Sequence, residues 1–393
     1  MSVDDEQIST SEYAARIAAV RTRMAEADLD AIVVWGRGGG TIERYGNVLY
    51  LCGHYAVFPT IRDVAGVWSD RGYAAVVVTA DEVVLCSEDV DAEPIGTTRH
   101  LALDGRTGGT LAELVGETLR GGNGLRVGVV GSDTMTAKQF AAVDRATEGL
   151  RRGELVLADD LVESVRSIKS PAEIALLRRA GAIGNLALTA GAEFLVPGAR
   201  ETDAVAAMVA ELTRHEAVMA NAFVYTFGAE APGIPAPPTY SNRVLQAGDL
   251  FTVDLTGAYR GYFFDFARSR VVGAEPTPAQ EAAYRLARTS IDAAVDAAKP
   301  GATVGDLARA ADELLAEGGY DFEHAEFQAG GHGLGLGFEA PWIRPENDRP
   351  IEVGMTLAFE RFVVMGGTAA TFERNVVITA DGADDLAPVL DLW

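Results

Sequence analysis

Two stretches of this sequence place acidic residues inside apolar runs, LFTVDLTGAYRGYFFDFARSR and MTLAFERFVVMGGTAATFERNVVIT. An unpaired charge is costly in such surroundings. In the first stretch Asp254 and Asp265 flank a turn expected near Tyr259, between Gly257 and Gly261, so a hairpin would set the two carboxylates opposite one another. In the second, Gly366-Gly367 is the expected turn and brings Glu360 opposite Glu373. Like charges facing each other destabilise a sheet, and four half-buried carboxylates cannot all stay ionised without compensation. Arg268, Arg361 and Arg374 are nearby, yet no Lys or Arg cluster adjoins each pair. Two divalent cations would balance the four carboxylates. His332, in the glycine-rich turn expected of GGHGLGLGFEAP, offers an imidazole to complete the set. One imidazole with four carboxylates favours manganese or iron(II), with cobalt or zinc as alternatives, over a thiolate-type zinc site. Singly, each residue has a commoner explanation: an acid in a strand is ordinarily ion-paired or solvent-facing, and a lone His structural. The order Asp, Asp, His, Glu, Glu with spacings of 11, 67, 28 and 13 is far more specific.

These residues need elements to position them. From Ser11 to about Glu163 helix and strand signals alternate. TSEYAARIAAVRTRMAEADLD has helical apolar spacing and feeds AIVVW, a short apolar run of the kind buried in a sheet. NVLYLCG, YAAVVVT, EVVLC and LRVGVVG read as further strands, with TLAELVGETLR and TAKQFAAVDRAT as helices between them, which predicts an α/β domain over residues 1–166. A second domain is expected over 167–393. It opens with a long helix, because Ser170 is a natural N-cap, Pro171 suits the first turn and Glu173 completes a capping box. Further helices are expected at about Glu201–Glu216, Pro278–Ala298 and Thr303–Gly318, with GAEAPGIPAPPTYSN as an ordered loop over a site.

Composition excludes several classes of partner. With 57 Asp and Glu against 33 Lys and Arg, the net charge is −24, and a chain this acidic is repelled by nucleic acid. No apolar run reaches the roughly 18 residues of a membrane span, and the acidic start, MSVDDEQISTSEY, is unlike a targeting peptide. Cys52 and Cys86 make no disulfide framework and no Cys-x-x-Cys site, so they read as buried small hydrophobes in a cytoplasmic protein. GRGGG lacks the glycine placement of a dinucleotide fingerprint.

VDLTGAYRGYFFDFARS resembles the Asp-x-x-Gly…Gly-Tyr-x-x-Asp-x-x-Arg segment of the creatinase, prolidase and methionine aminopeptidase superfamily. GGHGLGLGFEAP is similar to its Gly-His-Gly-x-Gly block, and VRSIKSPAEIALLRRA to the phrase that opens the catalytic domain of its prolidase-like members. The resemblance implies an α/β N-terminal domain followed by an α+β pita-bread catalytic domain. It implies that Asp254, Asp265, His332, Glu360 and Glu373 ligate a dinuclear metal centre, with Asp265 and Glu373 bridging the ions. A water or hydroxide between the ions would be the nucleophile. Glu360 would take its proton and hand it on, and Glu360 and His332 are the expected catalytic residues. It also implies a homodimer in which the first domain of one subunit covers the site of the other.

The sequence departs from the pattern at several points. Two histidines usual in prolidase-like members are absent: none lies between His215 and Asp254, and Phe338 stands before Glu339 where a His-Glu pair is usual. Thr371 occupies the position of an Arg two residues before the last Glu, and the common Glu-Pro-Gly reads Glu360-Arg361-Phe362. Tyr240, His324, Gln328 and Arg361 are candidates to bind substrate in their place, and Trp342 to wall the pocket. The expected activity is metal-dependent hydrolysis of a small dipeptide-like amide of the Xaa-Pro type, specialised by these losses. The alternatives are a lyase on the same scaffold, as in dimethylsulfoniopropionate lyases, and a non-catalytic binding protein.

Overall fold

The computed structural model describes residues 7–39, 44–64, 67–103, 109–228, 238–322 and 330–393. The chain divides into two compact units, Met1–Arg166 and Ser167–Trp393.

The first unit runs α1 (Thr10–Glu26), β1 (Ala31–Arg37), α2 (Gly46–Cys52), β2 (Tyr73–Thr79), β3 (Val83–Ser87), β4 (Arg99–Ala102), α3 (Leu111–Leu119), β5 (Val127–Val130), α4 (Ala137–Thr147), β6 (Val156–Leu157) and α5 (Asp159–Arg166). Its strands form one mixed sheet in the order β4-β3-β2-β1-β5-β6. Val33, Trp35, Val77 and Val84 from one face pack against Leu111, Val115, Leu119 and Val143 of α3 and α4. Ile32 and Val34 alternate with them and are equally buried, which is why these strands read as continuous apolar runs. One expected strand is instead a helix: NVLYLCG forms most of α2, ended by Gly53, whose N–H donates to the Leu49 carbonyl. Periodicity alone cannot separate a short buried helix from a strand.

The second unit runs α6 (Pro171–Ala192), α7 (Glu201–Arg214), β7 (Ala217–Phe227), β8 (Leu250–Tyr259), β9 (Tyr262–Val271), α8 (Pro278–Ala297), α9 (Val304–Glu317), β10 (Gly331–Leu334), β11 (Phe338–Glu339), β12 (Thr356–Met365), β13 (Thr368–Ile378) and β14 (Ala383–Asp385). Helix α6 starts at the expected capping box, with Ser170 and Glu173 each bonding the other's backbone N–H. Among the described residues two sheets form, β7-β8-β9 and β11-β10-β12-β13-β14. Phe359, Val363, Ala370 and Phe372, from one face of β12 and β13, join α8 and α9 in a large apolar core. No helix among the described residues is long and apolar enough to cross a membrane.

The two long hairpins set the register of the acidic residues. Gly366 and Gly367 sit in the left-handed region, and Glu360 stands directly opposite Glu373. In the other hairpin the turn lies at Arg260-Gly261, further along than expected, and Asp254 pairs with Ala267 while Asp265 pairs with Thr256. The two aspartates are therefore diagonal neighbours. Gly257 is no turn residue: it sits within β8, where a Cβ would come 2.6 Å from the Phe264 ring. Because the displacement is by an even number of residues, both carboxylates still share one face.

Candidate metal centre

Alternation along the strands assembles the site. Asn221, Phe223 and Tyr225 of β7, Thr252, Asp254 and Thr256 of β8, Asp265 and Ala267 of β9, Glu360 and Phe362 of β12 and Thr371 of β13 line one cavity of about 350 Å³, together with His332, Phe338 and Trp342. Glu373 lies behind this wall with no exposed surface. Donor atoms of Asp265, His332 and Glu373 fall within 4.8 Å of one another. The His332 Nε2 is 3.4 Å from Asp265 Oδ2 and 3.8 Å from Glu360 Oε1.

Neighbouring groups hold each donor in place. Thr256 Oγ1 donates to Asp265 Oδ1 at 2.8 Å. Asn375 brackets the Asp265 backbone, accepting its N–H at 2.9 Å and donating to its carbonyl at 2.7 Å. The Ala267 N–H donates to Glu373 Oε2 at 2.8 Å. The Arg268 guanidinium secures the Glu373 carbonyl at 2.6 Å. His332 lies in β10 and not in a turn as expected. Gly331 makes this possible, since a Cβ there would come 1.9 Å from the Ala358 carbonyl oxygen of the adjoining strand. The Nδ1 of His332 is 2.9 Å from the Gly333 carbonyl, which can only accept, so Nδ1 carries a proton and Nε2 is turned to the carboxylates.

The electrostatics are those of crowded like charges. Burial first, then Asp265 and Glu360, push the Asp254 carboxyl well above its ordinary range. Burial and the same neighbours do the same to Glu373. Glu360 is raised to about 7 by burial and by Asp265. Burial alone would lower the His332 imidazole, but Asp265 and Glu360 outweigh it and the net shift is upward. Two buried oxygens, Asp254 Oδ1 and Glu373 Oε1, have no hydrogen-bond partner among the described residues. Orphaned buried acceptors beside the imidazole nitrogen of His332 suit a divalent cation, which binds oxygen and nitrogen donors and displaces their protons. The donor set therefore fits the metal that the sequence pattern implies, with Asp254, Asp265, His332, Glu360 and Glu373 as the residues that could hold it.

The candidate substrate residues fare less uniformly. Trp342 lines the cavity, its ring 5.6 Å from that of His332. Arg361 does not: alternation turns it to the opposite side of β12 from Glu360, where it is buried and donates to Asp312 at 2.7 Å. Tyr240 is half-buried and is not part of the cavity wall. His324, Gln328 and residues 229–237 of the proline-rich loop lie outside the described residues. Sequence reasoning missed Phe223, Tyr225 and Phe362, although their alternation with the acidic positions was the available signal. It also missed Asn375, two residues beyond Glu373 on the same face of β13.

Residues 175–380 match the metallopeptidase family M24, and residues 16–168 match the creatinase/prolidase N-terminal domain. The chain is 36% identical over 233 residues to a protein named probable dipeptidase PepE from Mycobacterium tuberculosis, 58% of this chain and 60% of that one. It is 30% identical over 253 residues to the Xaa-Pro dipeptidase of Pyrococcus furiosus, 63% of this chain and 70% of that one. The match thus spans about 60% of the length of the PepE relative. Among solved structures, the dipeptidase PepE of Mycobacterium ulcerans superposes with a TM-score of 0.78 at 27% identity, covering 98% of both chains. With a creatinase/prolidase N-terminal domain ahead of a pita-bread domain that the family match spans, this chain belongs to metallopeptidase family M24.

Proposed function

We propose that the chain is a metal-dependent hydrolase of the Xaa-Pro dipeptidase type, cleaving a small peptide-like amide, with residues 167–393 as its catalytic domain. The observation that carries this reading is the pair of orphaned oxygens on Asp254 and Glu373, with donor atoms of Glu373, Asp265 and His332 within 4.8 Å of one another. The names of the relatives agree with it. Held by the five donors, two divalent cations, manganese before iron, cobalt or zinc, would acidify a shared water and stabilise negative charge on a carbonyl oxygen.

The chain's own groups supply the rest. Glu360, half-buried and on the cavity face, is the group to accept a proton and return it to the leaving nitrogen. His332, fixed through Nδ1, keeps Nε2 oriented. Phe338, its ring 4.6 Å from that of His332, stands where a second imidazole is usual, which supports a specialised substrate. The same reading includes a homodimer, on the strength of the family resemblance, and a cytoplasmic location, supported by two free buried cysteines.

Metal stripping and add-back with manganese, iron, cobalt or zinc, read against Xaa-Pro and simple dipeptides and against sulfonium acids, tests the proposal. Metal-dependent amine release supports it. Alkene formation assigns a lyase, and metal binding without either product leaves a binding protein.

A further inference from the structure

The cavity is built from acids, aromatics and hydroxyls together with Asn221 and His332, and no Lys or Arg is among the described residues that line it. The arginines next to the candidate ligands are all committed elsewhere. Arg268 donates to the carbonyls of Leu390, Ala267 and Glu373, Arg361 to Asp312, and Arg374 to Asp385 and Asp292. The stretches 229–237 and 323–329 contain no Lys or Arg either. Thr371 is buried in the wall and spends its only proton on the Arg361 carbonyl at 2.9 Å, so its hydroxyl presents lone pairs to any other group. Thr256 likewise donates to Asp265.

In a free dipeptide the carboxylate carbon is two bonds from the scissile nitrogen. A nitrogen held at the donors therefore brings that carboxylate against these walls. Two divalent cations would only balance the four ligand carboxylates, so a fifth would be buried with no Lys or Arg among the described lining residues to pair it, which is disfavoured. The free amine of an aminoacyl group meets the reverse situation, since acids and aromatic faces both favour a cation.

Resting on the peptidase reading above, we propose that the leaving half of the substrate carries no free carboxylate, and that Thr371 with Phe223, Tyr225, Phe338 and Phe362 selects a carboxyl-blocked leaving residue. Hydrolysis then adds water across the C–N bond, giving an amino acid and the amide or ester of the leaving residue, whose freed amine takes up a proton at neutral pH.

The test compares Ala-Pro with Ala-Pro amide on the manganese-loaded full chain. Calorimetric binding of the two products, L-proline and L-prolinamide, is measured at pH 7, where both amines are protonated. The amide is expected to be cleaved with kcat/KM about tenfold or more above the acid, and prolinamide to bind correspondingly tighter. Thr371→Arg should narrow or reverse both preferences. The product-binding pair needs neither turnover nor that variant to fold. If neither dipeptide is cleaved, the peptidase reading fails, and product binding still decides this one. Proline binding as tightly as prolinamide, or Ala-Pro cleaved as well as its amide, overturns the proposal.

Discussion

The backbone N–H of Ala267 donates to Oε2 of Glu373 at 2.8 Å, while Oε1 of the same carboxylate has no hydrogen-bond partner among the described residues. Strand β9 is an edge of its three-stranded sheet, and an edge leaves backbone N–H groups to be satisfied. Side chains of β13 do so, Glu373 at Ala267 and Asn375 at Asp265. The candidate metal centre is thus built on the seam that joins the two sheets, and one glutamate both closes the seam and offers a donor to the cavity side.

That arrangement predicts a trade between stability and metal binding. Glu373→Gln keeps an acceptor for Ala267 and removes a carboxyl that repels Asp265, Glu360 and Asp254. In chelator, the variant should melt at or above the wild-type temperature. Manganese at about 100 times its Kd should stabilise wild type by about 2.7 kcal/mol, and this gain should vanish in the variant. Differential scanning calorimetry with and without manganese reads both. A variant that melts lower yet keeps its full metal response would show that Glu373 is structural only.

Asn375 should matter for stability through a different route. Asn375→Ala leaves the buried N–H and carbonyl of Asp265 without their partners, and is expected to cost about 2–4 kcal/mol. Urea unfolding measures it. A loss below about 0.5 kcal/mol would mean that water replaces both bonds.

Much of this was legible in the sequence because the signals were local. Gly366-Gly367 fixes the register of Glu360 and Glu373, and Ser170, Pro171 and Glu173 fix the start of α6. The other hairpin was harder. Two glycines compete for its turn, and only packing of Phe264 against Gly257 decides between them. The fate of Arg361 was legible in principle, since alternation along β12 separates it from Glu360. The brace from Asn375 to Asp265 was not, because it joins strands of different sheets 110 positions apart.

The two cysteines give a pH prediction. Burial pushes both thiols up to about 12. Their stabilising contribution is complete below the ordinary thiol value of about 8.5 and is lost as pH rises toward the folded value. At pH 8 the native protein should therefore resist a thiol-specific chromophoric reagent, with both groups reacting once it is unfolded in guanidinium. Rapid labelling of either cysteine in the folded protein would contradict this burial.

The last prediction concerns Lys169 and Glu339, an ion pair whose side chains are 2% and 6% exposed. Glu339 follows Phe338, whose ring packs on His332, and its carboxylate lies so close to Gly335 that a Cβ there would come within 2.4 Å of Oε1. The pair therefore ties the start of the second unit to the loop that walls the cavity. Removing Lys169 takes the cation away from a buried carboxylate, so Lys169→Met is expected to cost about 3–5 kcal/mol. Adding Glu339→Gln removes that buried charge and should recover most of the loss, giving a coupling energy of about 2 kcal/mol or more in a double-mutant cycle. Chemical denaturation of the four proteins supplies the cycle. Additive effects would mean that the two charges contribute independently and that their pairing does not hold the loop.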